Sequence, residues 1–550
     1  MTALKRFAAL ALGLSIVVGC SGGGPSASAP PAASATGPAA VNQIDLLKIG
    51  TTSDESSWNP YTYVSGYPGW SFLLMQYDSL MHFDLNSEPQ PWLAKQVQAS
   101  ADNKVWTLTL ETGVKWHDGK PFTADDVKFT IEYLQKNIHG RFSTPLRDVD
   151  KVEVQGPDKV VITTKAPKPG FRTQAFADVP MMPKHVWETY AGDPKKATDL
   201  KYNVGTGPYK LVEYKTDQLY RLQANEDYFR GKPLVKEIVM PIIKEAAPAF
   251  AAVKTGDLDT TVRALQPELI KDFESTTGIK VTRGADYTST ALWLNVERKG
   301  LDRREVRQAI SLAIDRKKLV DTVFLGAATI GSDGFVHPEN AFANKTIKTD
   351  YDVARANALL DRIGAARGAD GTRVLSGTPL KFEILVSSTG GPLRIRLTEL
   401  VSQMVKDIGI TFTPKVVEST AWTAQVWPEF DVRKGRNYDL TMSGWSAPTQ
   451  FEAGRLVDQI HSDPLVGGIN VYGFKDAAGD KLAEQLRDEG DPEKRKALAQ
   501  QMQTYIADQL PIITLLYADG LYAYRSTVFD SYKFQKGLGI FQKASFIAPK

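Results

Sequence analysis

The chain has 550 residues, of which 42% are hydrophobic and 23% charged, with 43 Gly and 31 Pro. This is ordinary globular composition, long enough for three or four cores at roughly 100–200 residues per domain, and it excludes a small disulfide scaffold, a collagen and a coiled coil. Lys plus Arg (66) nearly cancels Asp plus Glu (63), so the chain lacks the basic excess of a nucleic-acid binder, and with one Cys no intrachain disulfide forms.

Lys5 and Arg6 precede an apolar run from Phe7 to Val18, and small residues lead to Cys20. The run falls short of the about 20 apolar residues that span a bilayer, and it predicts a signal peptide over residues 1–19. Val17-Val18-Gly19-Cys20 resembles a bacterial lipobox, which makes Cys20 the expected lipidation site and new N-terminus. Two or more acyl chains hold stably at about 0.8 kcal/mol per buried CH₂. Residues 21–40 contain only Gly, Ser, Ala, Pro and Thr. They cannot bury enough surface to order themselves, and predict a disordered tether of about 25 Å.

From residue 41 onward, helical and strand patterns alternate. Val105–Leu110 alternates as a strand, Thr123 to Asp126 reads as a capping box, and the helix it opens carries the stripe Val127, Ile131, Leu134 and Ile138. The adjacent acids Asp125 and Asp126 suit the helix dipole better than catalysis. Strands follow at Lys151–Val154 and Glu237–Met240, and amphipathic helices at 303–314, 353–363, 393–408 and 492–510, the last with Asp491 as N-cap. No repeat and no second low-complexity linker occurs, so the domains are expected to interleave.

Catalytic motifs fail one by one. The six His (His82, His117, His139, His185, His337 and His461) are scattered, and no zinc spacing exists. Gly113 to Lys120 starts like a phosphate loop, but its glycines are one residue too far apart and Pro121 replaces the hydroxyl residue. Gly205-Thr206-Gly207 starts like a dinucleotide fingerprint, but Lys210 stands where the third glycine belongs. Gly444-Trp445-Ser446-Ala447-Pro448 approaches a nucleophile elbow and ends in Pro. No catalytic residue, metal site or cofactor is expected.

The same segments carry a family resemblance. Val105 to Thr130, centred on Gly113-Val114-Lys115-Trp116-His117-Asp118-Gly119-Lys120-Pro121-Phe122-Thr123, resembles the signature of the family 5 extracellular solute-binding proteins, the peptide and nickel receptors of ABC importers. Val204 to Tyr209 with Asn225 to Pro233, Val306 to Ala309 with Ala313 to Arg316, and Tyr438 to Leu440 with Gly444-Trp445 are similar to further blocks of that family, in order over roughly residues 45 to 520. The resemblance implies an α/β fold of the two-lobed periplasmic-binding-protein type (type II, large family 5 variety), with an extra subdomain in the N-terminal lobe at about 75–195. It places one lobe at 41–287 with 517–550, the other at 288–516, and the crossings near Tyr287 to Ala291 and Leu515 to Asp519.

It further implies a non-enzymatic, monomeric receptor, which the lipobox would anchor to the outer face of the cell membrane, and which closes on a small solute and delivers it to importer permease subunits. Expected contacts are Trp58, Tyr67 and Trp70 from a Gly/Pro-broken segment of one lobe, and Asn295, Trp422, Trp445, Phe451 and Arg455 from the other. Arg455 also reads as a structural cation, and His117 and Asp118 as a tight turn. Peptide-binding members carry an Asp shortly after the Gly-Trp pair, whereas Ser446 to Gln450 has no acid until Glu452. An oligopeptide or dipeptide is named first, with an oligosaccharide, an opine or a nickel chelate as alternatives. A secreted hydrolase is the alternative of another class.

Overall fold

A computed structural model describes residues 43–65 and 67–548. The signal peptide, Cys20 and the tether lie outside the described residues.

Strands and helices are named in chain order. The first part of the chain supplies β1 (Ile44–Gly50), α1 (Gly69–Gln76), β2 (Met81–Phe83), β3 (Pro89–Pro91), β4 (Ala94–Ala99), β5 (Val105–Leu110), α2 (Ala124–Lys136), β6 (Val149–Val154), β7 (Lys159–Thr164), β8 (Tyr209–Lys215), β9 (Leu219–Ala224), β10 (Val235–Pro241) and β11 (Thr260–Thr261). Then come β12 (Ile279–Leu294), α3 (Arg304–Leu312), β13 (Lys381–Ser387), α4 (Gly391–Met404), β14 (Thr411–Val417), β15 (Leu440–Ser443), α5 (Pro492–Gln509) and β16 (Ile512–Arg525). The largest sheet has 11 strands, in the order β14-β13-β15-β12-β16-β11-β1-β10-β9-β8, with Ala328–Ile330 pairing on β16. It is mixed, with β1 parallel to β10 and β13 parallel to β14 and β15, while β12 and β16 run antiparallel through the middle.

Those two central strands are the longest in the sheet because each serves two half-sheets. Ile279–Ala285 pairs with Asp519–Arg525 on the side of β11, and Ser289–Trp293 pairs with Ile512–Tyr517 on the side of β15. Between these stretches the register breaks at Asp286, Tyr287 and Thr288. A bulge of this kind bends the strand and re-aims its side chains. The Asp286 carboxylate accepts the Thr288 N–H at 2.9 Å, which holds the bend.

A second, four-stranded antiparallel sheet, β4-β5-β7-β6, stands apart from the large one. The alternating pattern of β5 faces Trp106, Leu108 and Leu110 into a core, where they meet Val127, Ile131 and Leu134 of α2. Helix α2 opens as its capping box dictates: the Asp126 carboxylate accepts the Thr123 N–H at 2.9 Å and also the Lys184 N–H at 2.9 Å. It ends at Lys136, capped by Asn137, so the fourth residue of the expected stripe, Ile138, lies beyond the helix and is exposed.

Two signature blocks far apart in sequence clasp one another. His117 donates its backbone N–H to Gly205 O at 2.8 Å and accepts the Gly205 N–H on Nδ1 at 3.3 Å, and its Nε2 lies 3.0 Å from Gly207 O. With Nδ1 accepting, the proton sits on Nε2 and the ring is neutral. A Cβ on Gly205 would lie 1.9 Å from Gln76 O, so only glycine lets this loop reach the end of α1. The near-dinucleotide motif is therefore a packing device.

The chain's last described segment closes on the first part. The Lys543 ammonium and the Asp78 carboxylate pair while almost wholly buried. Asp78 also accepts from Trp92 Nε1 at 2.8 Å, Tyr228 OH at 2.9 Å and Thr206 Oγ1 at 2.9 Å.

Candidate binding site

At the register break a cavity of about 260 Å³ opens, walled by segments from both half-sheets. Asn86, Ser87 and Glu88 come from the turn between β2 and β3, and Lys536 from the C-terminal segment that folds with them. Glu339 to Ala341 and Gln450-Phe451 come from the other half, and Tyr287, inside the break itself, forms the floor.

Gln450 builds that floor. Its Nε2 donates to Tyr287 O at 2.6 Å, its Oε1 accepts the His337 N–H at 2.7 Å, and its carbonyl accepts from Asn340 Nδ2 at 2.6 Å. The His337 ring is buried between Tyr287 and Tyr517, with centroids 5.0 and 4.7 Å away. Its Nδ1 accepts the Glu339 N–H at 3.1 Å, and burial pushes its pKa down to about 4. Phe451 reaches across to Phe83, with ring centroids 5.2 Å apart. The Lys536 ammonium lies 3.4 Å from the Glu339 carboxylate, joining the two sides of the cavity. Burial, and then the neighbouring Asp84, hold the Glu88 carboxyl above its usual range.

Of the eight residues expected from sequence to touch a solute, Phe451 stands on the cavity wall. Trp58 is 0% exposed, packed 4.6 Å from the Phe72 ring and 4.4 Å from Tyr220, so its indole is core. Trp70 is equally buried, under the Arg141 guanidinium 4.1 Å from its ring centroid. Tyr67 is partly exposed and donates its hydroxyl to Val262 O at 2.7 Å. Asn295 is spent on backbone, donating to Tyr438 O at 2.8 Å and accepting the Glu297 N–H at 3.2 Å. Trp445 stacks on Trp293 at 4.6 Å and donates Nε1 to Tyr472 OH at 2.7 Å, while Trp422 donates to Thr441 Oγ1 at 2.8 Å. Arg455 pairs with Asp458 at 2.7 Å, which agrees with its structural reading.

Glu452, the first acid after the Gly-Trp pair, is also committed. Buried itself, it pairs with the partly buried Arg495 and accepts from Gln174 Nε2 at 2.8 Å.

Arg394 went unremarked in the sequence. It lies in the first turn of α4, at the level where the parallel strands β13, β14 and β15 end in register (Ser387 beside Val417, Val386 beside Met442). Gly444 follows β15 so closely on the central strand that a Cβ there would lie 1.7 Å from Ser289 O. Arg394 forms no ion pair among the described residues, and burial lowers its pKa. Ligands of open α/β sheets bind beyond the carboxyl ends of the strands, which is where this cation stands. Among the described residues no group of three or more His, Cys, Asp or Glu is placed to hold a metal ion, and no helix is long and apolar enough to cross a membrane.

Comparison with known proteins agrees with this geometry. The family profile of the bacterial extracellular solute-binding proteins, family 5 middle region, matches residues 88–456. The oligopeptide-binding protein AppA of Bacillus subtilis (strain 168) is 26% identical over 457 residues, covering 80% of this chain and 81% of that protein. Di/tripeptide-binding protein 1 of Pseudomonas aeruginosa (strain UCBPP-PA14) is 26% identical over 477 residues, covering 83% and 85%. Among solved structures, NikZ from Campylobacter jejuni in complex with Ni(L-His) superposes with a TM-score of 0.75 at 24% identity, over 92% of this chain and 100% of that one. AppA from Bacillus subtilis in complex with a nonapeptide gives 0.74 at 22% identity, over the same shares. The fold is thus the two-lobed α/β architecture with a large mixed sheet, and the chain belongs to the bacterial extracellular solute-binding proteins of family 5.

Proposed function

We propose that this protein is the receptor of an ABC importer, capturing an oligopeptide or dipeptide between two lobes without altering it. The observation that carries the reading is the cavity at the register break, with walls from both half-sheets. A solute shifts an open–closed balance only by binding the closed form more tightly, so it must touch both lobes, and this cavity offers contacts from each. The names of the relatives from Bacillus and Pseudomonas favour peptide as cargo.

The lobes in this reading are residues 41–287 with 517–550, and 288–516, with the second sheet inside an added subdomain at about 75–195. Arg394 supports a solute that bears a carboxylate, because a half-buried guanidinium that forms no ion pair among the described residues gains from an anion. That favours a peptide with a free C-terminus over a neutral oligosaccharide. Processing after residue 19 and acylation of Cys20 would moor the receptor outside the membrane, beside its permease subunits.

A thermal-shift screen of the purified full-length chain against dipeptides to pentapeptides, oligosaccharides, an opine and nickel–histidine tests the reading. Bound ligand raises Tm by mass action. Peptides are expected to give the largest shifts and to be recovered uncleaved. A shift with sugars or the chelate alone, or cleavage of the peptide, overturns the reading.

A further inference from the structure

A buried ammonium needs a carboxylate beside it. The two acids that follow Gly444-Trp445 in the chain are already engaged, Glu452 by Arg495 and Gln174, and Asp458 by Arg455. The carboxylates that line the cavity come from elsewhere, and from opposite sides of the crossing. Glu88, in the β2–β3 turn, forms no ion pair among the described residues and carries a raised pKa. Glu339, on the other side, pairs among the described residues with Lys536 alone, at 3.4 Å. The wall of the same cavity includes the rings of Tyr287 and Phe451, 6.4 Å apart in an edge-to-face arrangement, surfaces that also favour a cation.

Building on the receptor reading, we propose that the ammonium group of the solute is received between Glu88 and Glu339, displacing Lys536 from Glu339. The solute class is then one with a free primary amine, a peptide α-amino group or the end of a diamine. Because one acceptor sits on each side of the crossing, the same charge that is recognised also draws the two sides together. A neutral or N-blocked solute leaves Glu88 without a partner and forgoes that pull.

Titration calorimetry on the purified full-length chain tests this with three probes: trialanine, N-acetyl-trialanine and 1,5-diaminopentane. Trialanine is expected to bind about tenfold tighter than its acetylated form, as one charge-assisted contact implies. Glu88→Gln and Glu339→Gln should each remove most of that difference while leaving the acetylated peptide within about twofold of wild type. Lys536→Met, which frees Glu339 of its competitor, should tighten trialanine by about threefold, an effect that a purely structural role for Lys536 does not give. Equal affinity for the free and acetylated peptides, or equal weakening of both by the Gln variants, overturns the ammonium site and leaves the receptor reading standing. If neither peptide binds, the peptide reading fails; diaminopentane binding that disappears in Glu88→Gln then still supports the ammonium site, and its absence overturns that as well.

Discussion

The side-chain amide of Gln450 and the backbone carbonyl of Tyr287 meet at 2.6 Å, inside the longer of the two breaks in the register of the central strands. That contact, with the reciprocal bond from the His337 N–H to Gln450 Oε1, ties the wall of one half to the floor of the crossing. Gln450→Leu keeps the volume and leaves both backbone groups unpaired, each worth about 1–3 kcal/mol when buried. A loss of about 2–4 kcal/mol in urea unfolding is expected, and a loss below about 0.5 kcal/mol would show that the bend holds without it.

Glycines separate into those the fold needs and those it does not. A Cβ on Gly205 would meet Gln76 O at 1.9 Å, while one on Gly140 meets nothing within 4 Å. Gly205→Ala is expected to cost more than about 3 kcal/mol or to abolish folding, and Gly140→Ala to stay within about 0.5 kcal/mol. Paired thermal melts decide it, and equal Tm values would refute the clasp described above.

The buried ion pair of Lys543 and Asp78 should be costly to break from either end. Lys543→Met strands a carboxylate that is 0% exposed, at an expected cost of about 3–5 kcal/mol. The double variant Lys543→Met, Asp78→Leu should lose less than the two single losses combined, since no charge is left alone. Additive losses in chemical denaturation would contradict the coupling.

Stability should also depend on pH, with a sign set by His117. Burial pushes this imidazole from 6.5 down to about 4. The folded value lies below the unfolded one, so between pH 6.5 and 4 the unfolded chain holds more protons, and stability falls as pH falls. The contribution reaches at most about 3 kcal/mol. His82, His139 and His337, pushed down to about 3, 4 and 4, act in the same direction. The urea midpoint should drop steadily from pH 7 to 4.5, and His117→Gln should flatten that slope; an unchanged slope would assign the titration elsewhere.

Arg394 offers a test of the carboxylate end. Arg394→Met should weaken a peptide with a free C-terminus by about tenfold and leave its C-terminal amide nearly unaffected, as expected for a lost charge-assisted pair. Equal weakening of both would mean that the cation only supports α4.

Periodic elements were legible because each side chain votes for one face. Val105–Leu110 alternates in the sequence and is a strand with those bounds, and Asp491 caps a helix over Pro492–Gln509. Chemistry at the cavity was not legible in this way. Glu88, Glu339 and Lys536 sit in turns, with no period to mark them, and meet only because the two halves fold against each other. Trp58 and Trp70 misled for the opposite reason. A bulky ring in a segment broken by Gly and Pro suits a loop contact, yet burial satisfies it equally well, and here Trp58 takes a positive φ of 56° to reach the core. The distinction depends on Phe72 and Tyr220 arriving from elsewhere, which no local pattern encodes.

The order in which the chain is made adds one constraint. The half-sheet begun by β1 is completed on its inner edge by β16, and its buried Asp78 finds its ammonium partner in Lys543, which follows β16 in the chain. A ribosome that has released the first 300 residues has therefore delivered an unfinished body, open along β11, while the intervening half, apart from its share of β16, can assemble first. The first half is therefore expected to complete its fold only after β16 and Lys543 have been made, which keeps the newborn chain loose until then.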